Sequence, residues 1–180
     1  MLPALAAHWG FLLLRVVIAA SFGGVITWWP NLTMTRLAWL FGAYALTDGV
    51  LALIVAIGVK GHGGFGSLLF EAIVRVVVGA AAVAAPAATA YRLVDVFAAW
   101  ALLSGAASIS VAIALRKELS GEWPLPLAGS LSLLCGTLAL SGVGVPDPRW
   151  VIGPYMWLFA LIVLSLTLRL RQLSEEIAAG

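Results

Sequence analysis

Six long apolar runs joined by short loops leave this chain of 180 residues few folds to choose from. The runs are expected as helices at 9–29, 35–59, 65–85, 91–115, 124–143 and 150–168. About 20 apolar residues suffice to cross the hydrocarbon core of a bilayer. Only 10% of the residues are charged and 63% are apolar, and the mean hydropathy is +1.09. A soluble domain carries about 25% charged residues, so this chain cannot coat a water-facing surface and its implied solvent is lipid. No loop is long enough to fold by itself. The reading is a single all-α integral membrane domain over 1–180, with any chemistry inside the helix bundle or at its rims.

The runs repeat. Trp28-Trp29-Pro30-Asn31 closes the first, and Leu37 to Leu46 followed by Asp48-Gly49 opens the second. Ala84-Ala85-Pro86 closes the third, and Asp95 to Leu102 followed by Ser104-Gly105 answers it. Pro30 to Tyr44 and Pro86 to Trp100 are both 14 positions. Trp9 precedes Pro30 by 21 positions, Phe65 precedes Pro86 by 21, and Trp123 precedes Gly144 by 21. An arginine follows each turn: Arg36, Arg92 and Arg149. Three parallel two-helix hairpins are expected, at 9–60, 65–117 and 123–171. Such parallel units differ from the inverted repeats of many transporters.

Loop charge sets the expected orientation. Lys60, Arg116, Lys117, Arg169 and Arg171 lie on the side of the hairpin ends, against Arg36, Arg92 and Arg149 at the turns. By the positive-inside rule both termini face the cytoplasm, and Trp28, Trp29, Trp39 and Trp150 form an aromatic belt at the opposite face. The first run lacks a basic start and reads as a membrane helix rather than a removable leader. The tail from 172 to 180 reads as a short polar end with Glu175 and Glu176 solvated.

Several functions find no support. A formal net charge of +2, spread along the chain, does not suggest nucleic acid. His8, His62 and the single Cys135 have no metal-ligand spacing, and Cys135 sits in an apolar run as a small packing residue. The sequence shows no phosphate-binding glycine loop, nucleophile elbow or His-Glu-x-x-His, so no catalytic residue, cofactor or metal is assigned. Asn31-Leu32-Thr33 fits a glycosylation sequon but hugs the membrane edge.

Charges within membrane segments are costly and mark either a structural lock or a functional path. Arg15 and Glu71 occupy equivalent positions, six residues after Trp9 and Phe65, and the third unit has Gly129 there. Arg75 lies one turn beyond Glu71. The expectation is an Arg15–Glu71–Arg75 cluster in the cytoplasmic half of the bundle, which Asp48 of the second helix joins. Buried ionic clusters fix helix register without moving anything, whereas a relay would use carboxyls at Glu71 and Asp48. Arg92 and Asp95 are expected to form an interfacial pair. Small residues at Ser104, Ser108 and Ala112, at Ser132 and Gly136, and from Gly79 onward supply close-packing faces that would equally serve dimerisation.

In order and spacing, these residues resemble the HdeD family of small bacterial membrane proteins linked to acid resistance. The resemblance is carried by Trp29-Pro30, Leu40 to Leu46 with Asp48-Gly49, Glu71, Pro86, Ala99 to Leu102 with Ser104-Gly105, and Gly121-Glu122-Trp123. The third unit departs: its turn is Gly144 to Pro148, Tyr155 arrives three positions early, and Tyr155 to Ala160 replaces the Gly-Ala-Tyr-Ala-Leu type sequence. The resemblance implies six membrane helices, an inner-membrane location and a part in acid tolerance, with no catalytic residues to carry over. The first functional expectation is a non-enzymatic protein that supports envelope stress tolerance through helix-bundle assembly with lipid, further copies of itself or an envelope partner. The second is a small proton, ion or solute channel or transporter using the Arg15–Glu71–Arg75 cluster. A membrane-embedded enzyme would have only Arg92 and Asp95 to work with.

Overall fold

The computed structural model describes residues 9–61, 65–115, 124–141 and 147–179. Expectations resting on His8, His62, Arg116, Lys117, Trp123 and the turn 142–146 lie outside these residues. The described chain forms seven helices: α1 (Trp9–Trp28), α2 (Met34–Gly58), α3 (Phe65–Ala84), α4 (Pro86–Tyr91), α5 (Leu93–Leu115), α6 (Pro124–Leu140) and α7 (Arg149–Ala179). Within α1, α2, α3, α5 and α7 the chain is long and apolar enough to cross a membrane. The expected 124–143 run gives a described helix of 17 residues, about 25 Å at 1.5 Å per residue, shorter than a hydrocarbon core of about 30 Å.

Local chemistry sets the turns. Asn31 takes a left-handed backbone with φ 56°, a conformation asparagine tolerates better than most residues. Thr33 then caps α2, its hydroxyl accepting from the Arg36 backbone N–H at 3.3 Å. At the second turn Pro86 occupies the start of α4, where its fixed φ favours a helix and its missing N–H costs nothing. The run expected over 91–115 is found as α5 from Leu93, and the stretch before it, read as a turn, forms α4, which ends at Tyr91 with Arg92 at φ −120°. The tail read as a polar end continues α7 to Ala179, with Glu175 exposed as expected and paired to Arg171 at i,i+4.

The helices pair most extensively across the boundaries of the expected hairpins: α2 with α3, α5 with α6, and α1 with α7. Absent side chains make these contacts. A Cβ on Gly49 would lie 2.7 Å from Val76 N, and one on Gly79 would overlap the Leu46 backbone. In the α5–α6 pair, a Cβ on Gly105 would meet Gly129 O at 2.8 Å. Close approach of this kind is how helices associate in lipid, where no hydrophobic force drives them together.

Two apolar clusters occupy the interior. The larger holds Phe41, Tyr44, Phe97, Trp100, Tyr155 and Phe159, and the smaller holds Leu12, Val55, Val59, Val111, Leu166 and Leu170. Tyr44, Trp100 and Tyr155 meet at the centre of the larger one, with ring centroids 6.2 Å apart for the first two and 5.8 Å for the last two. They are spaced by 56 and 55 positions. The third unit thus departs in its turn while its helix keeps the aromatic position, Tyr155 standing where Tyr44 and Trp100 stand.

Candidate functional site

Between the two clusters lies a layer of charge. On α2, Asp48 falls between Tyr44 of the larger cluster and Val55 of the smaller. On α1, Arg15 falls between Leu12 and Val16, and on α3, Glu71 and Arg75 fall between Leu68 and Val78. Each sits at a core-facing helical position, so folding brings them to one level.

Asp48 is the hub. Its Oδ1 accepts from Arg15 Nε at 2.6 Å and its Oδ2 from Arg15 Nη2 at 3.1 Å, a two-point contact. The same Oδ2 accepts from Arg75 Nη1, and Arg75 Nη2 donates to Glu71 Oε1 one turn away on α3. Ser108 of α5 donates its hydroxyl to that Glu71 oxygen at 3.2 Å. A continuous thread, Arg15–Asp48–Arg75–Glu71–Ser108, therefore joins α1, α2, α3 and α5. Its middle is sealed, with the Asp48 and Arg75 side chains each 1% exposed, while its ends open slightly, at 12% for Arg15 and 10% for Glu71. Gly49 makes the junction: a side chain there would come within 2.9 Å of Arg75 Cβ and push α3 away from Asp48.

Aromatic rings complete the surroundings of Arg75. Its Cζ lies 5.6 Å from the Trp100 ring centroid and 5.8 Å from that of Phe159, so α5 and α7 cover the guanidinium with π faces. Two arginines face two carboxylates, and the layer is formally neutral. Buried charges persist on these terms, paired and hydrogen-bonded.

The four intramembrane residues singled out from the sequence thus stand in one network, with a different hub. The expected Arg15–Glu71 partnership is replaced by Arg15–Asp48, because α1 presents Arg15 to α2 while Glu71 pairs within its own helix. Ser108, read as a packing residue, donates into the network, and Trp100 and Phe159 were not singled out as its neighbours. The available signal was positional: Asp48 is the one acidic residue within the α2 run.

The rim residues lie apart from this layer. Arg92 Nη1 reaches Asp95 Oδ2 at 3.3 Å, both well exposed, beside a surface cleft lined also by Met34, Tyr91 and Pro148. Asp147 accepts from the Arg149 backbone N–H at 3.0 Å and its side chain at 2.6 Å. Partial burial pushes the Asp147 carboxyl up, but these contacts outweigh it and hold the group below its ordinary range. Cys135 is a free, half-buried thiol packed against the larger cluster.

The model of a family described as a short repeat of unknown function (DUF308) matches the chain twice, over residues 14–74 and 70–141. The two matches begin 56 positions apart, the spacing that separates Trp9 from Phe65. Among curated proteins and among solved structures, nothing matches the chain.

Proposed function

The chain belongs to this short-repeat family of unknown function, and from that premise we propose that it is a non-enzymatic, multi-pass protein of the bacterial inner membrane, of the HdeD type. In this reading α6 is a sixth, short span and the six spans derive from three repeated hairpins. Both termini face the cytoplasm, and assembly of the bundle, with itself or an envelope partner, supports tolerance of acid and envelope stress.

The observation that carries this reading is the neutral layer at mid-bundle. Arg15, Asp48, Glu71 and Arg75 hydrogen-bond to one another and to Ser108, holding four helices in register. That is the arrangement of a lock, and a lock suits a protein whose task is to keep its shape as the envelope acidifies. The resemblance supplies the link to acid.

A second reading, a small proton, ion or solute channel or transporter, draws on the slight opening of the thread at Arg15 and Glu71. Flux in liposomes holding the purified protein and an internal pH dye separates the two readings. With the external pH lowered from 7 to about 4, the lock predicts no flux above empty liposomes. Flux that disappears in Glu71→Gln would replace the lock with a path. On the physiological side, cells lacking the protein are expected to survive acid shock less well, and equal survival would sink the acid-tolerance role.

A further inference from the structure

Three polar atoms at the centre of the bundle have no hydrogen-bond partner among the described residues: the Tyr44 hydroxyl, Arg75 Nε and Trp100 Nε1. Tyr44, Arg75 and Trp100 are 0%, 1% and 0% exposed. They are neighbours, with the Tyr44 and Trp100 ring centroids 6.2 Å apart and Arg75 Cζ 5.6 Å from the Trp100 centroid. The guanidinium and the indole can only donate, and the phenol can donate or accept. Such a group costs a folded protein its full desolvation penalty when it is left without a partner, which is why buried polar groups are almost always satisfied by protein or by ordered water.

The carboxylate oxygens of the layer that face Arg75 already accept other bonds: Asp48 accepts from Arg15 and Arg75, and Glu71 Oε1 from Arg75 and Ser108. We propose that Tyr44, Arg75 and Trp100 form a buried binding site for a small hydrogen-bond acceptor, with water as its resident. Charge decides between a neutral and an anionic occupant. The arginines and carboxylates of the layer sum to zero, so an anion would leave one uncompensated charge far from solvent, whereas water leaves none. Buried water characteristically makes about three hydrogen bonds to groups that otherwise have no partner, and three groups stand here.

This site is independent of whether the protein conducts anything. It makes the middle of the aromatic cluster wet, although aromatic rings surround it. It also adds a ligand to the neutral layer at the flank of Arg75 that no described side chain reaches.

The experiment is nuclear magnetic resonance on the full-length protein in nanodiscs, with its tryptophans labelled at the indole nitrogen. Magnetisation transfer from water to each indole N–H is recorded, and the Trp100 signal is identified by its loss in Trp100→Phe. The expected result is direct contact between water and the fully buried Trp100 N–H. Tyr44→Phe and Trp100→Phe should each lower the melting temperature by ~2–4 °C, since each removes a satisfied bond. A parallel titration with chloride and with formate is expected to move neither the Trp100 resonance nor the melting temperature. A saturable anion response, absent from Trp100→Phe, would overturn water as the occupant. No water contact, no anion response, and variants as stable as the wild type or more so would overturn the site itself, because deleting an unsatisfied donor relieves the fold.

Discussion

The α2–α3 and α5–α6 pairs are built alike and filled differently. Gly49 and Gly79 bring the first pair together, and Gly105 and Gly136, 56 and 57 positions further on, stand at the matching places in the second. Where the first pair carries Asp48 and Arg75, the second carries Ser104 and Ser132 at the same spacings. Ser104 donates to the Ala101 carbonyl within its own helix, and Ser132 donates to the Ala128 carbonyl and accepts from the Tyr155 hydroxyl. Two helices can therefore be pressed together in this bundle by small residues and hydroxyls alone. The charges in the first pair do something else: they reach beyond it, to Arg15 on α1 and Ser108 on α5, and bind separate pairs into one body.

The most severe test of that difference is Arg75→Met. It leaves Asp48 with Arg15 alone and Glu71 with only Ser108, and breaking a buried ionic network from one side costs about 3–5 kcal/mol. Unfolding in detergent should show that loss, whereas Ser132→Ala in the sister pair should cost only about 1 kcal/mol. Equal losses would erase the distinction. Next comes close approach, which both pairs share. Gly79→Ala and Gly105→Ala should each destabilise by about 1–3 kcal/mol through overpacking against backbone, and a marked inequality would show that the pairs are not built alike.

A gentler test converts one pair into the other. Combining Arg15→Leu, Asp48→Ser, Glu71→Ala and Arg75→Ser removes all four charges together, so none is left unpaired. The variant should unfold closer to wild type than Arg75→Met does, because replacing a whole buried network is far cheaper than breaking it. If it is the worse of the two, the network supplies net stability and not only register. The smallest effect is expected at the rim. The Asp147 carboxyl lies below its ordinary range in the folded protein, so its contribution is present above the ordinary aspartate value of about 3.9 and fades as pH falls through the lower folded value. Asp147→Asn should cost about 0.5 kcal/mol near pH 6 and less as the pH is lowered below the ordinary aspartate value, as melting curves across that range would show.

Helix positions were legible because lipid imposes a simple demand: every backbone group must be satisfied within an apolar run. The runs at 9–29, 35–59 and 65–85 differ from α1, α2 and α3 by a residue or so at each end. The short helix α4 was not legible, since Pro86 to Tyr91 reads equally well as turn or helix, and in the fold it packs against α2. The membership of the charged layer could be listed from cost alone. Its wiring could not, because whether Arg15 turns to Asp48 or Glu71 depends on which helix lies beside α1, and spacing says nothing of that. The aromatic neighbours of Arg75 were hidden for a related reason: Trp100 and Phe159 look like ordinary apolar residues until α5 and α7 are placed.

The pairing of α1 with α7 bears on how the bundle is made. Chains enter the membrane as they are synthesised, N-terminal segments first. Among the described helices, α1, made before the others, has its most extensive partner in α7, made after them. Until α7 is made, the face of α1 that packs on it is uncovered, and Arg15 stands at the seventh of the helix's 20 positions. The Arg15–Asp48 pair ties α1 to α2 instead, a contact that does not wait for α7 and so would brace an unfinished assembly as well as a finished one.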